Sequence, residues 1–360
     1  PTGGTLEYLA GFYWQQSDLA IDEEAEFLLP PITIPPFGPL PPILFPATSA
    51  AAVSDHEQDE ETWALFASVT WNAMERLRLT FGLRYAEVDK EIERTQSFAP
   101  IGNPAVSLAP ATVPVFAAVF GWVPHAITDS RTDDDFTPSF NVEFDVTDNV
   151  LAYFSFAQGF KAGGFDQQNR QGPRNPNGGD FEPEEVDAHE GGLKTTWLDG
   201  RAVVNVAVFR DEYESLQVVG FDGTVNFLVD NAAAATTQGV ELDLRWALTD
   251  FLRLGLAMSF LDATYDEFAN AQCTIAQQAS ANRAAIAAGL SRPGVNVPCS
   301  QDLTDADLQY APEWSGNFNL TYTQPLPYAL LFTGALDLQF SDDFQTRSDN
   351  DPNLVQDSYA

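Results

Sequence analysis

Few side chains in this sequence have the type and spacing that catalysis or metal binding requires. The three histidines, His56, His125 and His189, do not fall at metal-ligand spacing, and neither an H-E-x-x-H nor a G-x-S-x-G motif occurs. No nucleotide or cofactor motif stands out either. The sequence therefore predicts a protein that is not an enzyme and that has no metal site or bound cofactor.

Acidic side chains are abundant and could bind a hard cation through oxygen. Two stretches, TDDDF (132–136) and SDNDPN (348–353), are candidates, but neither has the spacing of a calcium loop. With 52 acidic and 17 basic residues and a formal net charge of −35, adjacent acids are expected by chance. We predict that both stretches are solvated loops. The same charge argues against nucleic-acid binding, which needs clustered Lys and Arg.

The two cysteines, Cys273 and Cys299, fall in one polar, alanine-rich stretch. Their proximity in a chain otherwise free of cysteine favours a local disulfide in an oxidising compartment, with two free thiols as the alternative. Closing such a loop adds about 3 kcal/mol when the geometry fits. The alanine-rich composition of residues 271–290 predicts a short helix within this loop.

Two further stretches carry side chains suited to holding a small molecule. Residues 163–180, with the flanking Lys161, are unusually basic for this chain and could attract an anionic ligand, although a solvated glycine-rich loop is the alternative. Residues 97–127 present large apolar side chains, which in water usually mark a contact surface; loops that pack on each other are the alternative. The candidate ligand-contacting residues are Lys161, Phe165, Arg170, Arg174, Phe98, Phe116, Phe120 and Trp122.

The elements that must position these residues are strands, because the dominant hydropathy period is two. In VELDLRW, for example, Val240, Leu242 and Leu244 oppose Glu241 and Asp243. No run of about 18 apolar residues occurs, and the apolar stretch 27–46 contains eight prolines and cannot be a helix. About eleven strands are predicted, near 5–16, 60–71, 77–91, 134–146, 150–162, 183–197, 201–219, 226–247, 251–268, 312–323 and 328–345, with the start of a twelfth at NLVQDSYA (353–360).

The connections alternate between tight turns and long loops, a pattern typical of a transmembrane β-barrel. Long connections are predicted at about 17–59, 92–133, 163–181 and 269–309, and several strands, such as 201–219 and 226–247, exceed the roughly 9–11 residues that cross the hydrocarbon. Aromatic residues beside the tight turns predict an interfacial girdle: Trp71, Trp197, Trp246 and Tyr328. The polar rows would face the lumen: Glu241, Asp243, Arg245 and Asp337, with His189 as a lumenal hydrogen-bonding residue.

Several segments, in consistent order, resemble the barrel of TonB-dependent outer-membrane receptors. They are LAYFSFAQGFKAGGF, FEPEEVDAHEGGLKTTWLDGRAVVNVAVFRDEYESLQV, NAAAATTQGVELDLRW and LQYAPEWSGNFNLTY. The resemblance implies a twenty-two-stranded barrel closed by a plug domain, located in the outer membrane of a Gram-negative bacterium. It also implies import of a ferric siderophore, vitamin or carbohydrate, with energy from the TonB protein and its inner-membrane partners.

Only part of such a receptor is expected in this chain. We predict an all-β, antiparallel transmembrane β-barrel segment with 11–12 of about 22 strands, short periplasmic turns and long extracellular loops. Residues 1–360 would belong to a single barrel domain, with the plug and the remaining strands outside this chain, and the receptor would be monomeric. Two rival functions remain open: a passive porin-type channel, and a surface adhesin or binding barrel.

Overall fold

Eleven antiparallel strands form one sheet whose spatial order follows the sequence. The computed structural model describes residues 5–28, 33–34, 38–39, 49–108, 113, 124–166, 179–221, 227–231, 234–291, 297 and 299–360. The strands are β1 (Leu6–Leu28), β2 (Ser49–Met74), β3 (Leu77–Ala99), β4 (His125–Thr147), β5 (Val150–Lys161), β6 (Glu184–Trp197), β7 (Ala202–Glu214), β8 (Ala234–Ala247), β9 (Leu252–Glu267), β10 (Trp314–Leu326) and β11 (Leu330–Ser341).

The remaining elements belong to the connections at the long-loop end of the sheet. One helix, α1 (Ile275–Ala287), lies between β9 and β10. Five short two-stranded pairs complete the described structure: Thr33–Ile34 with Gly38–Pro39, Gly164–Phe165 with Asp180–Phe181, Gln217–Phe221 with Phe227–Asn231, Ala271–Gln272 with Ser300–Gln301, and Phe344–Gln345 with Val355–Gln356.

The first four strands are much longer than the sequence pattern predicts. They contain between 23 and 26 residues each, and β1 and β2 stay paired along their whole length. Much of the predicted loops 17–59 and 92–133 is therefore strand. In EVDKEIER (87–94) acids alternate with Val, Lys, Ile and Arg. The acids face water, whereas Ile92 and Arg94 on the other face are each 3% exposed, so the period of two appears in charge and burial rather than in hydropathy.

Two other predicted strands are shorter than expected, because each is divided. The predicted strand 201–219 ends at Glu214, where Ser215 adopts a positive φ of 53° and turns the chain. The predicted strand 226–247 likewise consists of Phe227–Asn231 followed by β8. At the C-terminus the predicted twelfth strand is reduced to the short segment Val355–Gln356, which pairs with Phe344–Gln345, and one antiparallel bridge between Ser341 and Tyr359.

Apolar side chains are distributed as in a membrane-facing sheet rather than around a central core. Among the described residues the two buried apolar clusters both lie in the long-loop region, one around Phe98 and one around Tyr265. Many large apolar side chains on the strands are instead exposed, including Phe12, Leu65 and Leu336. No helix among the described residues is long and apolar enough to cross a membrane.

Candidate functional site

The two faces of the sheet have different chemistry. Residues directly opposite one another on neighbouring strands share a face, so the register defines rows across the sheet. We call the face with the apolar rows the outer face and the other the inner face. One outer row contains only apolar residues and one glycine on ten successive strands: Leu6, Trp71, Leu79, Val142, Phe154, Gly191, Val208, Val240, Phe260 and Trp314.

The adjacent outer row changes from aromatic to polar along its length. Strands of a barrel tilt and stagger, so a row of paired residues climbs relative to the barrel axis. The polar end of this row lies where the outer face leaves the hydrocarbon region. The row consists of Tyr8, Val69, Phe81, Phe140, Phe156, His189, Arg210, Gln238 and Asp262.

His189 belongs to this outer row, so the prediction that it faces the lumen is wrong. It lies opposite Phe156 and Arg210, and its ring centroid is 5.0 Å from that of Phe156. Alternation along a strand separates two sets of residues. It does not decide which of the two sets faces the lumen when both contain polar residues near the water boundary.

Aromatic side chains mark both ends of the apolar region. At the tight-turn end Trp71, Trp197 and Trp246 are between 38 and 50% exposed, consistent with the girdle expected there. At the long-loop end the indole N–H of Trp14 donates to Glu61 and that of Trp63 donates to Glu87, each at 3.0 Å. The sequence pattern did not predict this second aromatic level, because its rings lie among acidic residues.

Beyond this second level the outer face of β1–β3 is strongly acidic. Its carboxylates are Asp18, Asp22, Glu24, Glu26, Asp55, Glu57, Asp59, Glu61, Glu87, Asp89, Glu91 and Glu93. Basic strand residues lie mostly on the inner face instead: Arg78, Arg84, Lys90, Arg94, Arg131, Lys161, Lys194, Arg245 and Arg253. Within the described strands, cations are thus sorted towards the side that a barrel would enclose.

The four residues predicted to face the lumen lie together on the inner face. Asp243 is opposite Asn205 and Ala257, and Arg245 donates to it at 3.1 Å. Asp337 is opposite Asn319 on β10 and accepts a hydrogen bond from its side-chain amide. Glu241 is opposite Ala207 and Ser259. Carboxylates, amides and a hydroxyl thus stand among small residues on this wall, and such a polar surface is typical of the interior of a water-filled barrel.

An open cavity of about 670 Å³ lies against this wall. Tyr153 donates its hydroxyl hydrogen to Glu190 at 2.6 Å on one side of it, and Tyr310 and Phe344 lie on the other. Aromatic rings beside fixed carboxylates and amides can orient a small molecule through stacking and hydrogen bonds. Among the described residues no group of three or more His, Cys, Asp or Glu side chains is arranged to hold a metal ion.

The predicted ligand-contacting residues are only partly described. Arg170, Arg174, Phe116, Phe120 and Trp122 lie outside the described residues. Their positions therefore add nothing to the geometry of the site.

The three described candidates differ in how accessible they are. Lys161 is accessible, with a side chain 61% exposed and its ammonium 3.9 Å from Glu184. Phe165 is only 7% exposed. Phe98, expected to be exposed, is 2% exposed and packs against Ala50, Ala52 and Leu108, because β3 continues to Ala99 and turns Phe98 inwards.

The loop between β9 and β10 is a compact unit. Cys273 and Cys299 are joined by a disulfide with Cα atoms 5.7 Å apart. Thr274 begins α1 with a capping box, in which its hydroxyl accepts from the Gln277 N–H and the Gln277 side chain accepts from the Thr274 N–H. The base of the loop packs on Tyr265 and Val218, next to the neighbouring hairpin.

Neither acidic stretch is a solvated loop. In TDDDF, Asp133 is 8% exposed and accepts from Arg131 at 2.7 Å within β4. In SDNDPN, Asp349 and Asp351 are 4% and 6% exposed. The sequence pattern did not show that the first stretch continues a strand and that the second folds under its neighbours.

Two loop carboxyls have shifted pKa values with clear causes. Burial raises the pKa of Asp349 above its ordinary value, although Arg347, 3.3 Å away, opposes the change. The backbone N–H and the hydroxyl of Thr304 lower the pKa of the exposed Asp302. Burial and hydrogen bonding therefore act in opposite directions on two carboxyls of the same loop region.

Comparison with known proteins places this architecture in a family. The family model "TonB dependent receptor-like, beta-barrel" matches residues 3–360. The chain is therefore a β-barrel segment of an outer-membrane protein, and it belongs to the TonB-dependent receptor family. TonB-dependent receptors are outer-membrane proteins of Gram-negative bacteria.

Solved structures share the fold at low sequence identity. The ferric yersiniabactin uptake receptor FyuA from Yersinia pestis is 16% identical, with a TM-score of 0.66 over 100% of this chain and 43% of FyuA. The siderophore receptor PiuA from Acinetobacter baumannii is 17% identical, with a TM-score of 0.61 over 99% of this chain and 46% of PiuA. The copper transporter OprC is 14% identical, with a TM-score of 0.54 over 83% of this chain and 42% of OprC. The chain thus spans less than half the length of each.

Proposed function

We propose that this chain is part of an active importer that brings a scarce nutrient across the outer membrane with energy from the TonB system. The observation that carries the proposal is the family match over residues 3–360. The nutrient is a ferric siderophore or a similar chelate, a vitamin or a carbohydrate. Of the proteins that share the fold, FyuA is a ferric yersiniabactin uptake receptor and PiuA is a siderophore receptor, whereas OprC is a copper transporter.

The proposed receptor is longer than this chain. Residues 1–360 supply eleven strands of a single barrel domain, and a plug domain and the remaining strands complete it. Structures that match the chain over less than half of their own length support this division. TonB and its inner-membrane complex are the energising partners, lipid surrounds the monomeric receptor, and the substrate passes the inner-face residues Glu241, Asp243, Arg245 and Asp337.

Substrate would first contact the long-loop end of the inner face. Lys161 is an accessible cation there, and Tyr153, Tyr310 and Phe344 supply rings and hydroxyls beside the cavity. Arg170, Arg174, Phe116, Phe120 and Trp122 complete the proposed set of contacts, and the buried Phe165 would support the loop from below. A partly apolar, anionic chelate suits such a surface, because cations and aromatic rings bind its two kinds of groups.

Radio-iron uptake by whole cells tests the proposal. Cells that lack the receptor, cells that carry the full-length receptor, and carrier cells without TonB would each be given iron loaded on catecholate or hydroxamate chelators. Free copper and cobalamin would be tested in parallel. The proposal expects one compound to accumulate only when receptor and TonB are both present.

The rival functions give different results in the same experiment. A passive channel would admit the compound equally with and without TonB. An adhesin would bind at the cell surface with no accumulation inside. Either result would overturn the proposed function.

A further inference from the structure

Three cations on the inner face of β3 and β4 contact one loop. Lys90 donates to the Gly163 carbonyl at 2.8 Å, Arg131 donates to the Phe181 carbonyl at 2.7 Å, and Arg94 donates to the Asp166 carbonyl. All three acceptors belong to the two short segments, 162–166 and 179–182, that leave β5 and enter β6. We call these segments the loop base. Its two halves pair with each other as Gly164–Phe165 and Asp180–Phe181.

The arrangement of the cations needs an explanation beyond strand pairing. Lys90 and Arg131 are directly opposite each other, and like charges in that position destabilise a sheet. Both side chains are also largely withdrawn from water, at 15% and 13% exposure, and Arg94 is 3% exposed. Nearby carboxylates, Glu60 and Asp133, offset part of this cost, and the loop carbonyls complete the hydrogen bonding.

Glycine in the loop base permits this close approach. A Cβ on Gly163 would collide with the Arg131 guanidinium and with the Phe181 carbonyl oxygen. A Cβ on Gly164 would stand 2.7 Å from the ring of Phe181. The glycines of KAGGF therefore bring the backbone against the cations rather than leaving a loose loop.

The other side of the loop base is held by the hairpin between β7 and β8. The Asp166 carboxylate accepts from the Val229 N–H at 3.2 Å. Asn231 accepts from the Glu182 N–H and donates to the Glu182 and Ser215 carbonyls. The Gln217 amide donates to the Ala162 and Glu182 carbonyls.

The same hairpin is connected to the next loops along the mouth. Ser348 donates to the Val219 carbonyl at 2.7 Å, and Gln301 donates to the Asp349 carbonyl at 2.8 Å. Contacts thus run without interruption from the wall formed by β3 and β4, through the loop base and the hairpin, to the segments before β10 and after β11. A displacement of the loop base would affect all of them.

We propose that Lys90, Arg94 and Arg131 are positioning residues that hold the loop base against the inner wall of the barrel, and so set the shape of the mouth through which substrate enters. Only the effect on substrate entry rests on the proposed import function, because the anchoring of the loop base does not depend on any substrate. Accordingly, the test measures loop position without any substrate.

Double electron–electron resonance on the full-length receptor measures that position. Nitroxides would be attached at Asp180→Cys on the loop base and Glu93→Cys on the outer face of β3; both native side chains are exposed. We expect one narrow distance population in the parent. In Arg94→Met/Arg131→Met the population should shift to longer distances and broaden, whereas Arg131→Lys, which keeps the charge, should restore part of the narrow population.

Arg84→Met is the matched control, because Arg84 lies on the same strand and face but opposite Thr137, away from the loop base. Its distances should match those of the parent. Unchanged distances in the neutralised variant, or equal broadening in the control, would overturn the proposal. If the neutralised variant does not insert, Gly163→Ala tests the same contact without removing charge: broadening supports the anchor and an unchanged distribution refutes it.

Discussion

The polarity of each strand residue in this protein matches its surroundings, which are lipid at the outer face and water at the inner face. Leu256 and Ala257 are neighbours on β9, yet Leu256 lies opposite Leu244 and Phe318 on the outer face, whereas Ala257 lies opposite Asp243 and Asn317 on the inner face. The outer residues of β9 are apolar from Leu252 to Phe260 and become polar at Asp262. Leu256 therefore lies near the middle of the apolar region.

Introducing the same charge at these two positions should give opposite outcomes. Leu256→Arg places a cation near the bilayer midplane, at a cost of about 2–4 kcal/mol, and should lower the yield of assembled barrel. Ala257→Arg places it beside Asp243 in water and should assemble normally. Heat-modifiable migration of the full-length variants on a gel measures this difference. Equal assembly of both variants would show that the face assignment is wrong.

Protonation of a buried carboxyl should control how firmly the segment around Asp349 is docked. Its pKa is raised from the ordinary value of 3.8, so the docked segment binds the proton more tightly than the undocked one. Docking is then strongest at acid pH and weakens as pH rises through the raised pKa. Hydrogen exchange of residues 346–354, corrected for the intrinsic pH effect, should follow this trend.

Two asparagine variants isolate the contribution of Asp349. Asp349→Asn cannot ionise but can still accept the Asp351 N–H, so the pH trend should disappear. Asp343→Asn changes an exposed carboxyl nearby and should retain the trend. A trend that persists in Asp349→Asn would assign the titration to another group.

At the scale of strands and loops, the connections beyond the membrane are ordered in two different ways. The first four strands continue as paired strands past the aromatic level of Trp14 and Trp63. The β9–β10 loop is instead stabilised by a disulfide, a capped helix and the packing of Phe268 and Leu303 on Tyr265. Extended pairing and a covalent cross-link are two solutions to the same problem, the entropy of a long connection.

Removing the disulfide should loosen its own loop and leave the barrel intact. The bridge closes a connection with a sequence separation of 26, and its loss should lower local stability by about 3 kcal/mol. In Cys273→Ser/Cys299→Ser, trypsin should cut after Arg283 in α1 faster than in the parent, at unchanged heat-modifiable migration. Cleavage at the parent rate would mean that packing alone holds the loop.

At the scale of the whole molecule the sheet has two free edges. In the described structure β1 is joined in the sheet only to β2, and β11 only to β10. Unpaired backbone groups cannot face lipid, because each exposed group costs several kcal/mol in hydrocarbon. The edges therefore need pairing partners before the outer face can be surrounded by lipid.

Expressed alone, residues 1–360 should not give a closed barrel. In detergent we expect a species that is sensitive to protease and whose gel migration does not change on heating. The full-length receptor, refolded in the same detergent, is the control and should be resistant and heat-modifiable. A resistant, heat-modifiable fragment would show that the eleven strands can close on themselves or on a second copy.

The sequence by itself determined the strand period, the tight turns and the membrane-facing rows. Strands such as β8 and β9 could be located from residues 240–246 and 252–260 because lipid on one side and water on the other impose alternating hydropathy. The resemblance of four segments identified the family. These features are local, so a single chain displays them.

Tertiary structure alone decided what lies beyond the membrane. There the outer face meets water and the inner face of β3 is covered by loop segments, so hydropathy no longer alternates as it does in the membrane. The pairing of β1 with β2 up to residue 49 follows only from the register. Strand stagger decided that His189 faces outwards. Segments far apart in sequence bury Phe98 and supply the carbonyls that Lys90, Arg94 and Arg131 contact. Such contacts are set by three-dimensional proximity, which residue types and spacing do not encode locally.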